Sequence, residues 1–275
     1  TACFTAKMTH FYIPAGTRTP PEISKAVPCP VSSERKPAMK IQDSRIFITG
    51  GAVRVGAAIA RAFAQNGAKL IIHCNRSVRE AEQLIAGFGG SGAGHSVVRC
   101  DLSEPGSAAE LAPALRSANI LINNASVFVR RTLLEESGTE ADRQFRINYT
   151  APVELMKLFA ETGSGPRLII NMLDQGIQHP DATSFSYAVS KKALAAATEA
   201  AALQLAPGIR VNGIAPGPVL PPVELPLSKM EKTLKTVPLG RPVALEDLCS
   251  ACLFLAQNDS ITGEILYVDG GQSLH

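Results

Sequence analysis

From Met39 to the C-terminus, short apolar runs alternate with longer amphipathic or Ala-rich stretches. This alternation predicts an α/β fold: a doubly wound, seven-stranded parallel sheet with helices on both faces, formed as a single domain. Two further observations support that class. A glycine turn, Thr49-Gly50-Gly51-Ala52-Val53-Arg54-Val55-Gly56, joins a β-rich run to an Ala-rich helical stretch. An acidic residue, Asp174, follows the apolar run Leu168-Ile169-Ile170-Asn171-Met172 and so sits at a strand's carboxyl end, where open α/β sheets bind ligands.

Taken in order, the expected strands are Arg45–Thr49, Leu70–Cys74, Ser96–Arg99, Ile120–Asn123, Arg167–Met172, Arg210–Ile214 and Ile265–Val268. The expected helices fill the gaps between them. Val55–Asn66 is closed by Gly67 as a left-handed cap. Val78–Gly87 is preceded by Ser77-x-x-Glu80, which reads as a capping box. Gln144–Glu161, Ser186–Leu205 and Leu245–Gln257 complete the set. Residues 1–38 are different material, with six prolines, scattered Ser/Thr and no apolar periodicity. They cannot bury enough surface to fold alone, and read as a disordered or artefactual extension ahead of a folded domain at 39–275. Five basic against two acidic residues there hint at a transit peptide, but no amphipathic Arg-rich helix supports targeting.

Composition excludes more than it identifies. The 275 residues are 45% hydrophobic, enough for one core, and the formal charge of +3 is small and unstriped, so no nucleic-acid partner is expected. No apolar run approaches the ~20 residues that span a bilayer, so no membrane partner is expected either. Six cysteines carry no disulfide framework. Cys249-x-x-Cys252 has metal or redox spacing but no second pair, and it falls on the buried stripe Leu245, Leu248, Cys249, Cys252, Leu253. Small buried hydrophobes in a cytoplasmic protein, with no metal, is the plain reading.

The chemistry gathers around four motifs. The glycine turn opens a helix, the context in which backbone amides cradle a dinucleotide pyrophosphate. After the second strand stands Asn75-Arg76-Ser77, with no acid. An acidic side chain there accepts a ribose 2′-OH, whereas a guanidinium matches a 2′-phosphate, so NADP (NADPH) is expected over NAD. Tyr187 and Lys191 are four apart on one helix face, and a nearby ammonium is expected to lower the phenol's ordinary value near ~10. Pro152 lacks the N–H that would bond the carbonyl of Asn148, leaving that carbonyl able to hold a water. The segment Pro216–Pro242 carries seven prolines and reads as a substrate lid.

On these residues, with Asn123-Asn124-Ala125, Pro216-Gly217 and Asp269-Gly270-Gly271, the chain resembles the short-chain dehydrogenase/reductase family from Met39 to His275. Within it the chain looks most like the pteridine reductases: Arg54 stands where most members have the second glycine of the turn, and Asp174 where most have serine. The resemblance implies a Rossmann-type fold and Asp174, Tyr187, Lys191 and Asn148 as catalytic residues. It implies cofactor contacts from Gly50, Arg54, Val55, Gly56, Asn75, Arg76, Ser77, Asp101, Asn124, Ala125, Ser126, Lys191, Pro216 and Gly217. It implies a pterin or dihydropterin substrate held by Arg54, Ser126, Phe128, Asp174 and Tyr187, and a homotetramer. Two rivals stay open: a generic NADPH-dependent carbonyl or 3-oxoacyl reductase, and a non-enzymatic NADP-binding module that senses redox state.

Overall fold

The computed structural model describes residues 39–163, 165–220 and 233–275. The expectations for residues 1–38 and for the centre of the proline-rich segment fall outside them. Seven strands form one parallel sheet in the order β3-β2-β1-β4-β5-β6-β7. They are β1 (Arg45–Ile48), β2 (Lys69–Cys74), β3 (Ser96–Arg99), β4 (Ile120–Asn123), β5 (Arg167–Met172), β6 (Ile209–Pro216) and β7 (Ile265–Val268). The order reverses between β1 and β4, which opens a crevice at their carboxyl ends.

Strand side chains alternate between two cores, as the two-residue period requires. Ile46 and Ile48 of β1, with Leu70, Ile72, Ile120, Ile122, Leu168 and Ile170, face one layer of helices. Phe47, Ile71, Leu121, Ile169 and Val211 face the other. Both faces being covered, the strands read as near-continuous apolar runs, the mark of a parallel sheet. The described residues from Met39 onward constitute one compact unit.

The first layer holds α1 (Arg54–Gln65), α2 (Val78–Ala86) and α8 (Leu245–Gln257). Helix α1 buries Gly56, Ala57, Ile59, Ala60 and Phe63, small residues at its start that let it approach the sheet closely. Gly67 closes it at φ +83°, with its amide donating to the carbonyl of Ala64. Cys249 and Cys252 are free, buried and packed in this layer, and burial pushes both thiols upward, Cys249 to about 11.

The second layer holds α3 (Ser107–Glu110), α4 (Ala112–Leu115), α6 (Ala151–Ala160) and α7 (Phe185–Leu205). Helix α5 (Gly138–Phe145) runs into α6 through a π-helical segment, Arg146–Thr150. Three corrections to the expected elements follow. The short α3 and α4 fill a stretch that gave no helical signal, because four residues are too few to show a period. Helix α5 begins at Gly138, six residues before the expected Gln144, behind a complete capping box at Ser137 and Glu140. Ser77, in contrast, makes no side-chain cap. Its ψ of 49° is not the extended conformation that places a hydroxyl over the first-turn amides.

Candidate active site

The glycine turn is stitched to the end of β4. Thr49 Oγ1 accepts from the amides of Asn124 and Ala125, each at 2.9 Å, and Asn124 Nδ2 donates to the carbonyls of Thr49 (2.9 Å) and Gly50 (3.1 Å). A Cβ at Gly56 would collide with the Gly50 carbonyl oxygen and stand 2.6 Å from Asn124 Nδ2. Gly50 holds φ +60°, against the backbone of Ala125. The turn is therefore a cradle from which side chains are excluded by contact. Arg54, at the head of α1, also takes a left-handed backbone, φ +52°. A non-glycine residue there costs on the order of 1–3 kcal/mol, and such strain collects where a ligand is gripped.

His73, which sequence reasoning passed over, braces the turn. The Gly50 amide donates to Nδ1 (3.3 Å), and Nε2 stands 3.1 Å from the Cys100 carbonyl, which fixes the Nε2–H tautomer. Burial lowers its pKa to about 4, so the ring is neutral around pH 7.

A cleft of about 420 Å³ opens on the cradle. It is lined by Gly50, Arg54, Val55 and Gly56, by Asn75 and Asp101, by Asn124, Ala125 and Ser126, and by Tyr187, Lys191 and Pro216. Arg76 and Ser77 line an adjoining recess of about 260 Å³, which shares Gly50 and Asn75 with the cleft. Asp101 is held below the usual carboxylate range by hydrogen bonds from Ser103. Four expected residues stand back from the walls. Gly217 is pressed against Asp269, where a Cβ would meet the backbone at 2.7 Å. Asn148, Asp174 and Phe128 reach the cleft through neighbours.

Asn148 is fully buried and uses both ends of its amide. Its Oδ1 accepts from Ser126 Oγ (3.0 Å) and the Val127 amide (2.9 Å), while Nδ2 donates to the Val127 carbonyl (2.9 Å) and Ser190 Oγ (3.3 Å). The side chain thus clamps the loop after β4 to α7. It lies in the π-helical segment just ahead of Pro152, the first-turn proline of α6. A widened turn of this kind is frequent at functional sites.

Tyr187 and Asp174 form the closest polar pair of the candidate residues, with the phenol donating to Asp174 Oδ2 at 2.8 Å. Asp174 Oδ1 accepts from the Gly176 amide (2.8 Å), which fixes the carboxylate. Phe128 packs edge-on against Tyr187, centroids 4.7 Å apart, and leaves 47% of its surface exposed. Lys191, buried on the same helix face, donates to the Met172 carbonyl (2.8 Å) and has its Nζ 5.9 Å from the Tyr187 ring centroid. This corrects the expectation that the ammonium lowers the phenol. Burial and the Asp174 charge push Tyr187 well above its ordinary range, and burial lowers Lys191 to about 8. The reason is geometric: the carboxylate touches the phenol, and the ammonium does not.

A glycine-walled cleft at the switch point of a doubly wound sheet, with a half-buried Tyr187 and a buried Lys191 at one end, defines a nucleotide-dependent oxidoreductase architecture. The family model described as enoyl-(acyl carrier protein) reductase matches residues 51–273, and the chain belongs to the short-chain dehydrogenase/reductase family of oxidoreductases. It is 30% identical to pteridine reductase 1 of Leishmania tarentolae, over 83% of this chain and 96% of that protein. It is 31% identical to galactitol 2-dehydrogenase of Agrobacterium fabrum, over 85% of this chain and 98% of that protein. Among solved structures it is similar to FolM alternative dihydrofolate reductase 1 from Brucella canis complexed with NADP. There the identity is 33% and the TM-score 0.77, over 86% of this chain and 96% of that one.

Proposed function

We propose that the chain is an NADPH-dependent reductase of a pterin or dihydropterin. The observation that carries this reading is the 2.8 Å hydrogen bond from Tyr187 to Asp174. A serine at that position serves a carbonyl oxygen, whereas a carboxylate coupled to a phenol can also move a proton to a ring nitrogen. The likeness to pteridine reductase 1 and to the FolM reductase supports the same substrate class.

The residues present fit the dinucleotide. Gly50 and Gly56 keep side chains out of the cradle, and Asn75-Arg76-Ser77 offers a cation and a hydroxyl with no acid, as a 2′-phosphate requires. Asp101 marks the adenine end of the cleft. Bound NADPH would supply the hydride. Tyr187 would donate the proton while Asp174 holds the phenol and the edge of the substrate ring. Lys191, close to half-protonated near pH 8, stands one turn from Tyr187 and is held by the Met172 carbonyl. Arg54 and Ser126 line the cleft and would contact both cofactor and substrate, and the half-exposed Phe128 ring would offer a flat apolar face to a pterin. The enzyme is proposed to act in the cytoplasm as a homotetramer, a state that light scattering at micromolar concentration would refute by returning a monomer.

The test is an NADPH-oxidation screen over biopterin, dihydrobiopterin, dihydromonapterin and dihydrofolate, set against 3-oxoacyl thioesters and simple ketones. Turnover on at least one pterin above every carbonyl compound is expected. The opposite ranking would favour the generic carbonyl reductase, a reading to which the equal likeness to galactitol 2-dehydrogenase lends weight.

A further inference from the structure

The recess that holds Arg76 and Ser77 has two walls of different origin. One comes from the glycine turn (Gly50, Val53) and from the end of β2 with the loop after it (Cys74 to Ser77). The other is a single residue from across the sheet, Arg143 of α5. Arg143 also lines the main cleft beside Asp101 and Ile147, so its side chain stands where the two spaces meet.

Three features make it a cation held ready. First, its place on α5 is fixed from both sides: the capping box at Ser137 and Glu140 sets where the helix begins, and the next residue, Gln144, is fully buried, with Oε1 accepting from the Val129 amide at 3.0 Å. Second, the Arg143 side chain makes no hydrogen bond and no ion pair among the described residues, although its charge is felt by Asp101. Third, Arg99, another guanidinium beside this loop, lines neither space and donates its Nε to the Asn75 carbonyl at 3.2 Å. Two unengaged guanidinium groups, Arg76 and Arg143, therefore border one recess from opposite walls, and a dianionic phosphate matches that arrangement far better than a neutral hydroxyl.

We propose that Arg143 is a specificity-determining residue that, with Arg76, holds the 2′-phosphate of the dinucleotide from the opposite wall of the recess. The assignment rests on the NADPH reading above and adds to it a residue outside the loop that follows the second strand. An exposed guanidinium in a charge-assisted bond to phosphate should contribute about tenfold in affinity.

The experiment is equilibrium binding of NADPH and NADH to the full chain, followed by nicotinamide fluorescence, which is clean because the chain has no tryptophan. Arg143→Ala should raise the NADPH dissociation constant about tenfold and leave NADH within about twofold. It should also flatten the dependence of NADPH binding on salt. Arg143→Glu should weaken NADPH further and still spare NADH. The double variant Arg76→Ala/Arg143→Ala should bind the two cofactors alike. Equal weakening of NADPH and NADH would assign Arg143 to the adenine or to the balance of the Asp101 charge, and would overturn the proposal, as would unchanged NADPH binding. If the unaltered chain shows no preference for NADPH, it is the cofactor reading itself that fails.

Discussion

The two ends of the cleft are built on opposite principles. At the glycine turn the working feature is the absence of side chains: Gly50 and Gly56 sit against backbone, and the polar groups around them are satisfied by Thr49, Asn124 and His73. At the Tyr187 end the working feature is buried charge. A half-buried carboxylate and phenol stand near a buried ammonium, and desolvation shifts both the Tyr187 and Lys191 proton equilibria away from their ordinary values. Binding a dinucleotide needs shape and backbone donors, which a short motif can encode. Moving a proton needs charges held against their preference for water, which only tertiary packing can arrange.

The strongest way to break this contrast is to change the charged end alone. Asp174→Ser restores the residue more common in the family while keeping a hydroxyl near Tyr187. If the carboxylate only fills that place, activity survives. If it works with the phenol, pterin turnover should fall by about 10²–10⁴-fold, with NADPH binding nearly unchanged. A variant keeping half of the original pterin turnover would remove Asp174 from the mechanism and move the carbonyl-reductase reading ahead.

The second test acts on the brace of the glycine turn. His73 has a folded-state pKa of about 4 against an ordinary 6.5, so the unfolded chain binds a proton in that window and the folded chain does not. Stability is therefore fully present above pH ~6.5 and is lost as pH falls toward 4. The loss from this group should be about 3 kcal/mol. Urea unfolding of the unaltered chain and of His73→Gln should diverge by that order between pH 6.5 and 4, and parallel curves would show that the imidazole carries no such linkage.

Next in size is Arg76→Ala, which probes the binding end. Loss of a charge-assisted phosphate contact should raise the Michaelis constant for NADPH about ten- to a hundredfold and leave NADH little affected. Equal effects on both would show that Arg76 does not discriminate.

The same contrast explains what could be read from sequence. All seven strands were legible, because a sheet covered on both faces writes apolar runs such as Leu168–Ile170 directly into the chain. Gly67 as a helix stop, Tyr187 one turn from Lys191 and Asp174 at a strand end were legible too, because a four-residue helical step and a strand end are both local patterns. The pairing of Tyr187 with Asp174 came from the family resemblance. Two Ser-x-x-Glu boxes competed, and the one at Ser77 was read while the one at Ser137 formed. The deciding factor was the backbone of Ser77, set by the loop after β2. Lys191 bonding Met172, His73 bracing Gly50 and Arg143 facing Arg76 left no local signal, since each pairing joins segments far apart in the chain.

The smallest expected effect concerns Arg54, where the two ends meet in one residue. Its backbone sits at φ +52°, the region glycine occupies without strain, yet its side chain borders the cleft. Arg54→Gly and Arg54→Ala both delete the guanidinium and differ only in whether a Cβ is forced into the left-handed region. Ordinarily alanine at a helix start outranks glycine, because glycine surrenders more backbone freedom on folding, by roughly 0.5–1 kcal/mol. The strain at this φ is larger, about 1–2 kcal/mol. Arg54→Gly should therefore be the more stable of the two by about 0.5–1 kcal/mol, a difference of a few degrees in Tm. Both variants should bind pterin more weakly than the unaltered chain. If alanine proved the more stable, the left-handed backbone at Arg54 would carry no strain, and the position would be held by its contacts alone. If glycine is the more stable and still loses pterin binding, the chain keeps an arginine there at the expense of its own fold.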